Sequence, residues 1–211
     1  MLITKVKDRE KILDVLRNRK PFVFKCFGCR EVYFPEQEID SLLKEAGIDV
    51  SGTARIDYLC NEEFTRRYLE SFSGRIQEAG RILVFSCGVG VQVVSKLVPE
   101  KVVIPGCDTL YLNGFQGVTS QNADCEQCGE CWLNLTGGIC PLTACSKGLL
   151  NGPCGGTKNG KCEVNSEMDC GWVLIYQRLK DIESEKLLKE PAVNIRNYHL
   201  IVQGGKKTDE S

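Results

Sequence analysis

Short apolar runs alternate with stretches of helical period over the first half of the chain, and both patterns fade near residue 120. Phe22-Val23-Phe24, the segment Ala54 to Leu59, Ile82 to Phe85 and Val102-Val103-Ile104 predict short strands. Between them, Glu36 to Glu45, Glu62 to Glu78 and Val91 to Leu97 predict helices. Lys5 to Arg19 predicts an amphipathic lead-in helix, with Ile12, Leu13 and Leu16 on one face. Strand–helix alternation of this kind implies parallel strands joined by right-handed crossovers. Residues 1–120 are therefore expected to form a small flavodoxin-like or Rossmann-like α/β domain.

Cys, Gly and Pro then dominate through residues 121–170, where too little apolar material remains for hydrophobic burial alone to fold the backbone. Metal–thiolate bonds would have to supply that stability, because ligand binding and folding are coupled in such segments. Trp172, Ile175, Tyr176, Leu179 and Ile182, then Leu187 and Leu188, return to helical spacing, ending before Pro191. Residues 171–203 are read as this helix followed by a strand containing His199, and 204–211 as a polar tail.

Composition narrows the class. With 42% hydrophobic and 26% charged residues, the chain can build a core of ordinary globular type. A formal net charge of −1 removes the electrostatic case for nucleic acid. The N-terminus is charged from Lys5 onward, unlike a secretory leader, and no apolar stretch approaches the roughly 20 residues of a membrane span. The expectation is a cytoplasmic protein with no membrane insertion. Thirteen cysteines in that compartment point to metal or cluster ligation rather than disulfides.

Five of those thiols lie in the α/β region. Cys26, Cys60, Cys87 and Cys107 each fall near the end of a predicted strand, and open parallel sheets bind ligands outside the carboxyl ends of their strands. Neighbouring strands are about 4.8 Å apart, so a shared centre requires the loops to converge. The glycines of Cys87-Gly88-Val89-Gly90 and Gly106-Cys107 permit this. Cys29, in Cys26-Phe27-Gly28-Cys29, makes one thiol spare, and the spacing does not identify which. Gly88-Val89-Gly90 is too short a match to a nucleotide-binding fingerprint to carry phosphate binding.

The remaining eight are Cys125, Cys128, Cys131, Cys140, Cys145, Cys154, Cys162 and Cys170, which suit two four-thiolate sites without remainder. A C-x2-C-x2-C run draws three ligands from one tight loop, the habit of cubane iron–sulfur clusters, whereas structural zinc more often uses two C-x2-4-C knuckles. Cys125, Cys128, Cys131 and one later cysteine are grouped, leaving four for a second centre. The single histidine excludes two-histidine zinc fingers, and no acid/base or nucleophile constellation is present. Soft all-thiolate ligation leaves iron–sulfur or zinc.

Cys128-Gly129-Glu130-Cys131, Thr136-Gly137-Gly138-Ile139-Cys140-Pro141, Cys145-Ser146-Lys147 and Asn151-Gly152-Pro153-Cys154-Gly155-Gly156 closely resemble the methylenetetrahydrofolate reductase C-terminal-type domain, and the likeness extends toward the strand-end cysteines over nearly the whole chain. In acetogenic bacteria that domain is the cysteine-rich partner of the flavin-bearing reductase subunit. The resemblance implies an iron–sulfur electron-transfer subunit with two or three [4Fe–4S] clusters. It would serve an FMN-containing catalytic subunit that reduces 5,10-methylene- to 5-methyl-tetrahydrofolate in the Wood–Ljungdahl methyl branch. Further redox subunits can belong to such a complex. A zinc-stapled assembly subunit without redox role is the alternative, and zinc at one site beside clusters at others is a mixed solution. Two further expectations concern surfaces. Tyr111 and Phe115 could flank a flavin ring, and Trp132-Leu133-Asn134-Leu135 with Leu142 could dock the partner.

Overall fold

The computed structural model describes residues 2–17, 19–29, 34–112, 124–189 and 193–200. Four parallel strands form its central sheet: β2 (Pro21–Cys26), β3 (Gly52–Ile56), β4 (Arg81–Phe85) and β5 (Val103–Pro105), in the order β3-β2-β4-β5. β2 and β4 are central and read as almost unbroken apolar runs because both of their faces are covered. Phe22, Phe24, Ile82 and Val84 point to one layer with Val91, Val94 and Leu133. Val23, Leu83, Phe85 and Ile104 point to the other, against Ile12, Leu16 and Ile39.

The expected parallel α/β architecture is thus present, and five local expectations change. Residues Lys5 to Arg19 do not form one helix. Leu2–Val6 is a strand, β1, and the helix α1 spans Arg9–Leu16. Thr4 and Val6 are buried while Lys5 is exposed, a period of two that places the segment in a ribbon. Its antiparallel partner is β6 (Cys107–Leu112), which no apolar run announced. The helix expected over Glu62 to Glu78 is two helices, α3 (Glu62–Ser71) and α4 (Ser73–Glu78). Phe72 leaves helical geometry between them, and its ring lies 5.5 Å from that of Phe22.

The remaining helices are α2 (Glu36–Glu45), α5 (Gly88–Leu97), the single turn α6 (Pro141–Ala144) and α7 (Gly171–Asp181). α5 begins three residues before the apolar pattern suggests, because its first turn is built from Gly88-Val89-Gly90. The C-terminal helix stops at Asp181, and Glu183, at φ 52°, separates it from a 3-10 turn over Glu185–Leu188. His199 is in a helical turn rather than a strand, its backbone N–H donating to Asn197 Oδ1. No helix among the described residues is long and apolar enough to cross a membrane.

Candidate metal centres

β3 and β5 lie on opposite sides of the β2–β4 pair, so the order of strands reverses there. Crevices at such a reversal are where open α/β sheets place ligands. Cys26 ends β2, Cys87 caps the N-terminus of α5 directly after β4, and Cys60 follows β3 in the turn before α3. Cys60 and Cys87 pack with Val89, and Cys29, Tyr58 and Cys125 close around them. Burial pushes the Cys60 thiol up to about 12, and the charges of Cys26 and Cys29 push the same way. Burial likewise raises Cys87, where the Gly90 N–H opposes it and Cys125, Cys26 and Cys29 add to it. Cys26, Cys29, Cys60 and Cys87 make up a first group, with Cys125 at its edge.

Cys107 stands apart. It opens β6 and is buried with Val6, Ile12, Leu83 and Phe85 on the opposite face of the sheet. Burial raises its thiol to about 12, and Asp108 adds to this, while a Thr4 hydrogen bond opposes it. A strand end fixes how far along the sheet a residue lies, whereas the face follows from the period-two alternation. That alternation turns Cys107 away from the other strand-end thiols.

The second group follows Cys125-x2-Cys128-x2-Cys131. This loop is pinned to β6: Gly129 N–H donates to Thr109 O at 3.0 Å, and Cys131 N–H donates to Asp108 Oδ1 at 2.7 Å. Cys140 caps α6 and joins them: burial raises the Cys125 thiol to about 11, with Cys140 and Cys128 adding to it. Cys128 is raised by burial and again by Cys140. First and second groups adjoin, since a Cβ placed on Gly88 would lie 3.2 Å from Cys125 Sγ. Thr109 spans the join: its buried hydroxyl accepts from Gly88 N–H at 3.0 Å and also hydrogen-bonds Cys125. Nothing in the local sequence marks Thr109 beyond its inward position in an alternating strand.

The four remaining thiols, Cys145, Cys154, Cys162 and Cys170, make up the third group. Cys145 ends α6 and Cys170 caps α7, and the two helices touch where a Cβ on Gly171 would lie 2.4 Å from Ala144 O. Cys145 packs against the buried cluster of Cys170, Trp172, Ile175 and Leu179, while Cys162 Sγ hydrogen-bonds Ser146 Oγ at 3.6 Å. The Ser146 hydroxyl, with the N–H groups of Val164 and Asn165, holds the Cys162 thiol below its ordinary value. An ion pair between Lys147 and Glu163 ties the Cys145 and Cys162 strips together. Glu163 also lies against Gly156, bringing up the loop of the exposed Cys154. α6 alone separates the second group from the third. An apolar cleft of about 570 Å³ opens beside the third group, lined by Leu150, Pro153, Trp172, Tyr176 and Val193 among others.

Residues 104–199 match the family model described as "Methylene-tetrahydrofolate reductase C terminal". This segment is similar to the C-terminal domain of methylenetetrahydrofolate reductase, and it makes up a little under half of the chain. The matched domain holds the second and third groups and Cys107, and its extent is shorter than the sequence motifs implied: Cys26, Cys29, Cys60 and Cys87 lie before it. No curated protein and no solved structure matches the chain.

One surface expectation changes. Leu133 and Leu142 are buried at 2% and 6% exposure, Leu133 within the core of the parallel sheet, so neither is free to dock a partner. Phe115 and the side chain of Tyr111 lie outside the described residues, and the flavin expectation lies there with them. The thirteen thiols carry no disulfide. Among the described residues, no three His, Cys, Asp or Glu side chains stand at coordinating distance from one point. The donor chemistry, thiols gathered in three neighbourhoods with Cys107 facing elsewhere, is nonetheless that of soft metal centres.

Proposed function

We propose that the chain is an iron–sulfur electron-transfer subunit of a methylenetetrahydrofolate reductase complex, delivering electrons to its FMN-containing catalytic subunit. What supports this reading best is the gathering of thiols in three adjoining neighbourhoods. The reading divides them as Cys26, Cys29, Cys60 and Cys87; Cys125, Cys128, Cys131 and Cys140; and Cys145, Cys154, Cys162 and Cys170. A [4Fe–4S] cluster bound to such a set supplies reversible one-electron storage. The chain's own contribution is to hold the sets in series. Gly88 and Thr109 join the first to the second, and α6 joins the second to the third. The family assignment of residues 104–199 supports association with the reductase, whose substrate would be 5,10-methylene-tetrahydrofolate. A redox subunit requires ligands and spacing rather than a nucleophile or base of its own.

Iron, zinc and acid-labile sulfide per chain, measured on anaerobically prepared full-length protein, test the proposal. About 12 iron with equal sulfide, broad absorbance near roughly 400 nm and reduced-state paramagnetism are expected. Roughly two or three zinc without sulfide would replace the relay with a zinc-stapled assembly subunit.

Gly28 gives a local check. A Cβ at this position would lie 2.2 Å from Tyr58 N, a contact with backbone that no rotamer change relieves. Gly28→Ala is therefore expected to push the Cys26–Cys29 loop off Tyr58 and lower bound iron by about four atoms, leaving the other eight. Unchanged iron in Gly28→Ala would separate that loop from metal binding.

A further inference from the structure

A buried ion pair joins the antiparallel ribbon to the Cys125–Cys131 loop. Lys7, directly after β1, is 9% exposed at its side chain, and Asp108, in β6, is 15% exposed. Lys7 Nζ stands 2.5 Å from Asp108 Oδ1 and donates to Cys131 O at 3.2 Å. Asp108 Oδ1 in turn accepts the Cys131 N–H at 2.7 Å. A full positive and a full negative charge thus grip the two ends of one cysteine's peptide environment.

Stability is a weak reason for such a pair, because the cost of drying two charges offsets most of their attraction. Its location gives a better one. The ion pair beside the third group, Lys147–Glu163, is far more exposed at 40% and 35%. Charges shielded from water act over several ångströms with little loss to salt or solvent. Reduction potentials of thiolate-held centres follow net charge and hydrogen bonding around the sulfurs.

We propose that Lys7 and Asp108 set the reduction potential of the centre held by Cys125, Cys128, Cys131 and Cys140, with Lys7 raising it and Asp108 lowering it. The proposal rests on the iron–sulfur reading above. Reduction adds one electron to the centre, and a nearby cation stabilises that added negative charge while a carboxylate opposes it. Lys7 and Asp108 act by their charges from beside the Cys131 loop and are not ligands of the centre.

The test is a dithionite titration of the full-length, anaerobically prepared protein, followed by electron paramagnetic resonance. Lys7→Gln is expected to lower the potential of one of the three centres, and Asp108→Asn to raise the same one. Each shift should correspond to about a tenfold change in its reduced-to-oxidised ratio, or about 59 mV for a one-electron couple. Lys7→Arg should leave it near the unmodified value, and Lys7→Gln/Asp108→Asn should bring the two shifts close to cancelling. Opposite signs distinguish a charge effect from a loosened loop, which would move both single variants the same way. Shifts of equal sign, no shift with iron retained, or loss of about four iron from Lys7→Gln would each overturn the proposal while leaving the relay standing. Absence of iron in the unmodified protein would overturn both.

Discussion

Serine in place of Cys26, Cys29, Cys60 or Cys87 is expected to lower bound iron by about four atoms per chain, and serine in place of Cys107 to leave it unchanged. The contrast follows from which face of the sheet each thiol occupies. Cys26 and Cys87 end the two central strands at the reversal of strand order, with Cys60 in the turn after β3 beside them. Cys107 is a core residue among Val6, Ile12 and Phe85, and serine there buries a more polar group with Thr4 as its hydrogen-bond partner. Its cost should be seen in stability, roughly 1–3 kcal/mol by denaturant unfolding, and not in metal. The same experiment sorts the block. Serine at Cys140 is expected to remove the same iron as serine at Cys125, and serine at Cys145 the same as at Cys170. Spectra of the single variants should fall into three sets of four. If Cys140 instead shared its spectrum with Cys170, the division at α6 would be wrong. If Cys107→Ser lost iron, the first group would need redrawing.

The sequence made the parallel sheet legible because β2 and β4, covered on both faces, need continuous apolar runs bounded by helical stretches. The β1–β6 ribbon was not legible. Its strands pair residues about a hundred positions apart, and in Cys107-Asp108-Thr109-Leu110 only one neighbour in two is apolar. Missing the ribbon hid Lys7, Asp108 and Thr109, whose roles exist only once β6 lies beside the Cys125–Cys131 loop. Strand-end position brought out Cys26, Cys60 and Cys87, which the fold gathers at one end of the sheet, yet it carries no information about faces, so Cys107 joined them by the same rule. The C-x2-C-x2-C spacing defined three members of the second group by itself. Its fourth, Cys140, depends on a loop folding back over the core through Leu133 and Thr136, which spacing does not encode. Likewise, apolar character alone suggested Leu133 as a docking residue, although the same property suits a core position equally well.

Arg178→Met is expected to be the most destabilising single substitution outside the cysteines. Arg178 sits on the inner stripe of α7 beside Ile175 and Leu179, a position where a sequence pattern calls for an apolar residue. Its guanidinium answers with hydrogen bonds to four acceptors. Nε donates to Gly137 O at 2.9 Å, one terminal nitrogen to Pro99 O, and the other to Lys101 O at 2.9 Å and Ser95 Oγ at 3.2 Å. Ser95 Oγ completes the node by donating to Gly137 O at 2.9 Å. Three separate pieces meet there: α7, the Thr136–Ile139 turn that leads into Cys140, and the connection between α5 and β5. The turn has no slack, since Gly138 has φ 87° and a Cβ on it would lie 2.0 Å from Ser95 Oγ. Methionine preserves the length and apolar stem of Arg178 but supplies no donor, so Pro99 O and Lys101 O lose the guanidinium and Gly137 O keeps only Ser95 Oγ. Losing several such bonds at once should cost about 3–5 kcal/mol, which lowers Tm by about 10 °C or more for a chain of this size. Because the node fixes both the turn before Cys140 and the helix capped by Cys170, the loss should extend to metal. Iron held by the second and third groups is expected to leave on chelator challenge well before that of the first. A variant that melts within about 2 °C of the unmodified protein, or releases all its iron together, would show that the cysteine-rich region holds to the sheet by other contacts.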